Sequence, residues 1–333
     1  METPVALFIF NRPRQTQQVF AEIRKQTPRR LLVVADGPRS SDEVDRCLAT
    51  RSVIEQIDWE CDLLTNYSES NLGCKRRIAS GLDWVFQQCE DAIVLEDDCV
   101  PDASFFRYCS ELLDFYRHDT RVMMISGDNY NPGIKRVSNS YYFSRYMHIC
   151  GWASWRRAWQ HYDVEMEHWP QLRDTDWLQT LLHDKQCADY FRGIFDAVHN
   201  GEVDTWDAQW LFTCWSQNGL SIQPNTNLIT NIGYGIDAAH TKDPDHHLAN
   251  LPTENIMFPL EHPRLMIRDE LADRTWFERI VPPSSTLLRA YSWLYWKAYH
   301  PMPAPIREHI SDMHMKVQSS LTRTKRSPQP TNR

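Results

Sequence analysis

The sequence predicts an α/β fold in which a mostly parallel central sheet carries helices on both faces and is followed by a helical carboxyl-terminal extension. Three observations carry this. Short uninterrupted apolar runs at residues 5–10, 31–35 and 92–95, rich in β-branched side chains, read as strands buried on both faces. Between them apolar residues recur at helical spacing, as with Val19, Phe20 and Ile23, then Ile78, Leu82, Val85 and Phe86. Each run also ends in polar or turn-forming residues, namely Asn11-Arg12-Pro13, Asp36-Gly37-Pro38 and Glu96-Asp97-Asp98. Alternation of this kind implies parallel pairing through right-handed crossovers.

Taken in order, residues 5–10 give strand, turn and helix, and residues 31–35 a second strand ending in Asp36-Gly37-Pro38-Arg39. A helical stretch over 44–57 leads to a third strand at 59–64, and Asn71-Leu72-Gly73 opens the helix before the central strand. A helix over 105–116 and a strand over 122–126, ending at Gly127-Asp128-Asn129, complete the first half. Residues 141–159 then hold Tyr141, Tyr142, Phe143, Tyr146, Trp152, Trp155 and Trp159, which form an aromatic core or, for one or two, a stacking surface for sugar rings. A helix begins near Val203 and runs through Trp215, strands follow at 221–224 and 227–232, and the Gly-rich loop containing His240 ends a catalytic domain of residues 1–245. Residues 246–333 form the extension.

An apolar content of 42% is ample for a core at 333 residues, and a net charge of −8 argues against a nucleic-acid partner, whose footprint would be basic. Nine cysteines, an odd number with no C-x-x-C pair, resemble neither a disulfide framework nor a zinc site and fit reduced thiols in the cytoplasm. The apolar start of the chain is cut short by Asn11 and Arg12, too early for a signal peptide, and nothing reaches the ~18 apolar residues of a membrane span. Neither G-x-G-x-x-G nor G-x-x-x-x-G-K-[ST] occurs.

Chemistry concentrates at Glu96, Asp97 and Asp98. Ligands of open α/β sheets bind beyond the carboxyl ends of the strands. Three adjacent carboxylates repel one another and persist best where a cation or hydroxyl donors neutralise them. A solvated acidic turn is the plain alternative. The motif, followed by Pro101-Asp102 and Phe105-Phe106, resembles the acidic D-x-D-type motif of GT-A fold glycosyltransferases, in the EDD form of the N-acetylglucosaminyltransferase I type and of bacterial family 2-like sugar transferases. The likeness covers the first 245 residues or so and rests on NRP, ADGPR, NLG, EDD and WDAQW in that order.

The resemblance implies a metal-dependent, inverting transfer of sugar from a nucleotide-diphosphate donor, UDP-linked as the first guess, to a hydroxyl of a glycan or glycolipid. It implies Mn²⁺ or Mg²⁺ on Asp98, with His240 near the metal, and Glu96 and Asp97 near the ribose and donor sugar. Arg12, Asp36 and Arg77 match positions facing base or phosphates, although each also reads as an ordinary surface cation or turn-capping acid. Asp207 matches the general base, with Asp204 and Glu202 as reserves; a carboxylate at a helix start is equally a favourable cap. A metal-dependent phosphatase or phosphotransferase, and a non-catalytic sugar- or nucleotide-binding module, are the rival readings. In the extension, Leu287, Leu288, Tyr291, Trp293, Leu294, Tyr295, Trp296 and Tyr299 give an aromatic amphipathic helix beside a basic tail. This suits either peripheral contact with an anionic membrane face or packing on the catalytic domain.

Overall fold

The computed structural model describes residues 1–130, 138–235 and 248–281. Ten strands occur in it: β1 (Val5–Ile9), β2 (Arg30–Ala35), β3 (Asp62–Tyr67), β4 (Asp91–Glu96), β5 (Cys99–Pro101), β6 (Val122–Ser126), β7 (Tyr141–Ser144), β8 (Trp152–Trp155), β9 (Leu220–Pro224) and β10 (Ile229–Asn231). The helices are α1 (Pro13–Gln26), α2 (Val44–Ser52), α3 (Gly73–Gln88), α4 (Ala103–Phe115), α5 (Arg156–Trp159), α6 (Trp169–Leu172), α7 (Trp177–Leu182), α8 (Lys185–His199), α9 (Asp207–Ser216) and α10 (Glu270–Ile280).

Eight strands form one sheet in the order β3-β2-β1-β4-β8-β6-β9-β7, and β5 pairs with β10 in a separate two-stranded ribbon. β3, β2, β1 and β4 are parallel neighbours. β8 inserts antiparallel between β4 and β6, β9 runs parallel to β6, and β7 closes the edge antiparallel. The fold class is therefore the expected α/β one, a mostly parallel sheet covered by helices on both faces.

Alternation along the strands divides the core in two. Ala6, Phe8, Leu32, Val34 and Val94 point to the face covered by α3, α8 and α9, whereas Val5, Leu7, Ile9, Leu31, Val33, Ile93 and Leu95 point to the face covered by α1 and α4. On the first face α3 approaches the sheet most closely at Gly81, where a Cβ would lie 2.5 Å from Phe8 and 2.7 Å from Val34. Even alanine there would push the helix outward. Helix starts follow local chemistry: Pro13 opens α1, and Asp102, Asp184 and Asp269 cap α4, α8 and α10 through backbone N–H groups.

The seven aromatic residues between Tyr141 and Trp159 are all buried, so they form core and present no ring to a sugar. All nine cysteines are free thiols. Three sequence expectations shift, and one strand is unanticipated. The third strand lies at Asp62–Tyr67 rather than 59–64, because its register is set by β2, Arg30 opposite Asp62 and Ala35 opposite Tyr67. Trp59 instead plugs the preceding loop, its indole N–H donating to the Pro28 carbonyl at 2.9 Å. The helix expected over 44–57 ends at Ser52 and continues as a 3-10 turn at Ile54–Gln56. The helix expected near Val203 starts at Asp207, and β5, formed only by pairing with β10, has no local signal.

Residues 248–281 lie along the β7 side of the sheet. The Asp269 N–H donates to the Phe143 carbonyl at 2.8 Å, Ser144 donates to Asp273 Oδ1 at 2.5 Å, and Arg145 and Arg268 each lie 3.4 Å from Asp273 Oδ2. The aromatic helix expected at 287–299 and the basic tail lie outside the described residues. Among the described residues no helix is long and apolar enough to cross a membrane.

Candidate functional site

The carboxyl ends of β1, β2, β4 and β6 open on one edge of the sheet, and the first residues of α3 and α9 meet them there. Glu96 ends β4 opposite Phe8 of β1. The chain then turns sharply into β5, which turns Asp97 and Asp98 toward the loop after β1. The Phe10 N–H donates to Asp97 Oδ2 at 3.3 Å. The Arg12 guanidinium forks across both acids, Nη2 donating to Asp97 Oδ1 and Nη1 lying 2.9 Å from Asp98 Oδ2. One cation thus bridges two of the three carboxylates.

Electrostatics follow from that crowding. Burial first, then the Asp98 and Asp97 charges, push the Glu96 carboxyl well above the usual range. Burial likewise pushes Asp97 up, with Arg12 opposing it. For Arg12 burial lowers the pKa, but Asp97 and Asp98 overcome this and hold the guanidinium charged. Asp98 is backed by the loop after β10: its carbonyl accepts from the Ile232 N–H at 2.9 Å, and a Cβ at Gly233 would fall 1.9 Å from its Oδ2. Only glycine fits beside this carboxylate without displacing it.

Asp36 is 6% exposed, and its oxygens are engaged with the protein itself. They accept from the N–H groups of Gly37 (2.8 Å), Leu72 (2.9 Å) and Gly73 (3.2 Å) and from the Asn71 amide (2.9 Å). The residue thereby caps α3 from a distant strand; burial raises its pKa against these donors. Arg77 is equally engaged, donating to the Ala35 carbonyl at 3.2 Å and to Asn66 through both backbone and side chain. It ties the ends of β2 and β3 together.

Asp207 is the first residue of α9, half-buried, accepting from the Thr205 hydroxyl and from the Ala208 N–H at 2.9 Å. Trp206 anchors the start of the helix by stacking on Trp152 at 5.7 Å. Asp207 is close enough to Glu96 to contribute to its raised pKa, and Glu96, Asp207 and Asp204 together help burial to raise the Cys74 thiol. The fold therefore gathers Arg12, Glu96, Asp97, Asp98 and Asp207 on one edge from three separate elements. Asp204 accepts from the Lys75 N–H at 3.3 Å and so helps to cap α3, while Glu202 is exposed. His240 lies outside the described residues.

Among the described residues no three His, Cys, Asp or Glu side chains gather as a ready metal cage. The donors at the end of β4 are hard carboxylate oxygens, and Mg²⁺ commonly takes only one or two of these beside phosphate oxygens. Asp98 fits such a role once Arg12 moves aside. The sequence reading passed over Asp128 and His148, which the fold buries as a pair at the same edge, with Asp128 Oδ1 2.9 Å from His148 Nδ1. Asp128 does follow a strand in a Gly-Asp-Asn turn, but nothing local marks His148 as its partner twenty residues on.

No protein-family model and no curated protein matches the chain. Solved structures that it resembles include a 4-diphosphocytidyl-2C-methyl-D-erythritol synthase from Anaerococcus prevotii, at 8% identity over 68% of this chain and 89% of that one, with a TM-score of 0.33. A UDP-glucose pyrophosphorylase complexed with UDP-glucose follows at 11% identity, covering 45% and 64%, with a TM-score of 0.26. Mouse xyloside xylosyltransferase 1 follows at 9%, covering 63% and 81%, with a TM-score of 0.30. At such scores these likenesses bear on neither activity nor substrate.

Proposed function

We propose that the protein is a nucleotide-sugar-dependent glycosyltransferase that moves a sugar, with inversion, from a nucleotide-diphosphate donor to a hydroxyl of a glycan or glycolipid. The observation that carries the reading is the meeting of the Glu96-Asp97-Asp98 strand end with Asp207 at the start of α9, on the sheet edge where α/β folds bind ligands. In this reading Asp36 and Arg77 hold the rim of the nucleotide crevice, and Glu96 and Asp97 line the ribose and donor sugar.

Asp207 takes the proton of the acceptor hydroxyl as its oxygen bonds to the anomeric carbon, while the bond from that carbon to the diphosphate breaks and its electrons leave with the diphosphate. The bonds from the Thr205 hydroxyl and the Ala208 N–H fix the Asp207 carboxylate at the start of α9, so its role rests on placement. A divalent Mn²⁺ or Mg²⁺ held by Asp98, with His240 as a further ligand, would neutralise the leaving diphosphate. Arg12 is the cation already present beside Asp98, and donor binding would draw it toward phosphate.

A thermal-shift screen of nucleotide diphosphates and nucleotide-sugars, each with and without Mn²⁺, tests this without knowledge of the acceptor, because a ligand of the folded state raises Tm by mass action. One nucleotide should stabilise the protein, more strongly with Mn²⁺, and Asp98→Ala should remove the Mn²⁺-dependent part. A nucleotide shift to which Mn²⁺ adds nothing would reject the metal role of Asp98 and leave Arg12 as the diphosphate's cation. No shift with any nucleotide would reject the donor class.

A further inference from the structure

Cys99 and Cys150 are the only two thiols in contact among the described residues, their Sγ atoms 3.2 Å apart. Both are buried, at 2% and 7% exposure. Cys99 opens β5, and Cys150 precedes Gly151, whose positive φ turns the chain into β8. Neither has a part in the proposed transfer. The sulfurs of a disulfide lie about 2.05 Å apart, so these two need approach by only about 1 Å to bond.

The pair closes a ring of contacts around Asp98. Cys99 follows Asp98 in the chain, and its thiol lies 3.5 Å from Asp98 Oδ1. Cys150 Sγ accepts from the Asn231 amide at 3.2 Å. Asn231 stands opposite Cys99 in the β5–β10 ribbon, and its Oδ1 accepts from the Gly233 N–H at 2.8 Å. Gly233 in turn packs against the Asp98 carboxylate, and the Asp98 carbonyl accepts from the Ile232 N–H at 2.9 Å. A change at the sulfurs therefore reaches Asp98 from two sides, along the chain from Cys99 and through Asn231 and Gly233 from Cys150.

We propose that Cys99 and Cys150 are a redox modification site, a dithiol that hydrogen peroxide oxidises to a disulfide, displacing Asp98 from its place in the donor site. Cys150, the more exposed sulfur, attacks one peroxide oxygen; the O–O bond breaks, one water leaves, and the sulfur becomes a sulfenic acid. Cys99 Sγ then attacks that sulfur, forming the S–S bond and releasing a second water, so both thiol protons end in water and the peroxide is the species reduced. The contact with Cys150 and then burial hold Cys99 as a thiol, while at Cys150 the Cys99 contact opposes a rise that burial imposes. Oxidation is accordingly slow and favours a small, neutral oxidant. The disulfide has no S–H to give Asp98, and its sulfur is a poorer acceptor for Asn231 than the thiol it replaces. The effect on donor binding rests on the glycosyltransferase reading; the disulfide itself does not.

The reduced full chain would be incubated for hours with excess hydrogen peroxide at about pH 8, where thiolate is more available. Peptide mapping should find Cys99 linked to Cys150, dithiothreitol should undo the link, and neither Cys99→Ala nor Cys150→Ala should form it. Hydrogen exchange at the Gly233 amide should quicken by about threefold or more in the linked protein, with no nucleotide present. Nucleotide with Mn²⁺ should raise Tm less in the oxidised parent than in the reduced one, whereas the two variants should keep their shift through peroxide treatment. Absence of the linked peptide, Gly233 exchange equal in both forms, or a nucleotide shift present before oxidation and unchanged after it would overturn the proposal. If the link forms and Gly233 responds but no nucleotide shifts Tm in either form, the redox site stands and the transferase reading falls.

Discussion

The two ends of the site edge are built on opposite principles. At the β1–β2–β4 end Arg12, Asp36 and Arg77 are all engaged by the protein: Arg12 by Asp97 and Asp98, Asp36 by the start of α3, Arg77 by the carbonyls of Ala35 and Asn66. At the β6–α10 end, His148 Nε2 and Trp276 Nε1 are buried without partners. A satisfied network is a rigid frame whose loss is felt as stability, whereas a buried polar group without a partner costs the fold its lost solvation. Loss of Asp36 or Arg77, whose partners are all within the protein, should therefore act mainly on folding.

The largest effect belongs to Asp207, which stands between the two ends. Asp207→Asn keeps the shape of the helix start, so kcat for transfer should fall by about a thousandfold, within the usual reach of acid–base catalysis, with the nucleotide-induced Tm shift preserved. A variant retaining more than about a tenth of parental turnover would exclude Asp207 as the base.

Next comes Arg12→Ala, which strands buried Asp97 and neighbouring Asp98 without their cation and should lower the unfolding free energy by about 3 kcal/mol in urea titrations. A loss below about 1 kcal/mol would mean that the acids simply take up protons, and the frame would then not be held by charge.

The smallest effect is pH-dependent. The Glu96 carboxyl is raised by burial and by its acidic neighbours, so the folded state keeps a proton that the unfolded chain releases. A raised carboxyl contributes stability that is complete below the unfolded pKa and is lost as pH rises through the folded one. Glu96→Gln should thus match the parent near about pH 4 and exceed it in stability near about pH 8, as read by urea midpoints. Parent and variant falling in parallel over that range would place the strain elsewhere in the triplet.

Much of the first half was legible because its signals are local. Apolar runs flanked by Asp36-Gly37 and Glu96-Asp97-Asp98 are complete within a few residues, and burial on both faces is written in the run itself. Asp207 was marked by tryptophans on either side and a helical pattern after it. His148 carried no such mark, since its meaning comes from Asp128, Tyr130 and Trp276, the last more than a hundred residues away. The third strand was misplaced by three residues because Trp59 is apolar and its role as a loop plug depends on Pro28 and Phe20.

By itself the sequence determined that the chain folds as an α/β protein, that its acidic triplet ends a buried strand, and that a helix runs through Trp210 to Trp215. These follow from periodicity and from the turn chemistry of neighbouring residues. The tertiary structure alone decided that β8 enters antiparallel between β4 and β6, that β5 and β10 pair, that Arg12 forks onto Asp97 and Asp98, and that Asp36 caps α3. Each of these joins residues remote in sequence, and such partnerships are selected by register, by burial and by the need to satisfy buried polar groups, none of which a local pattern records.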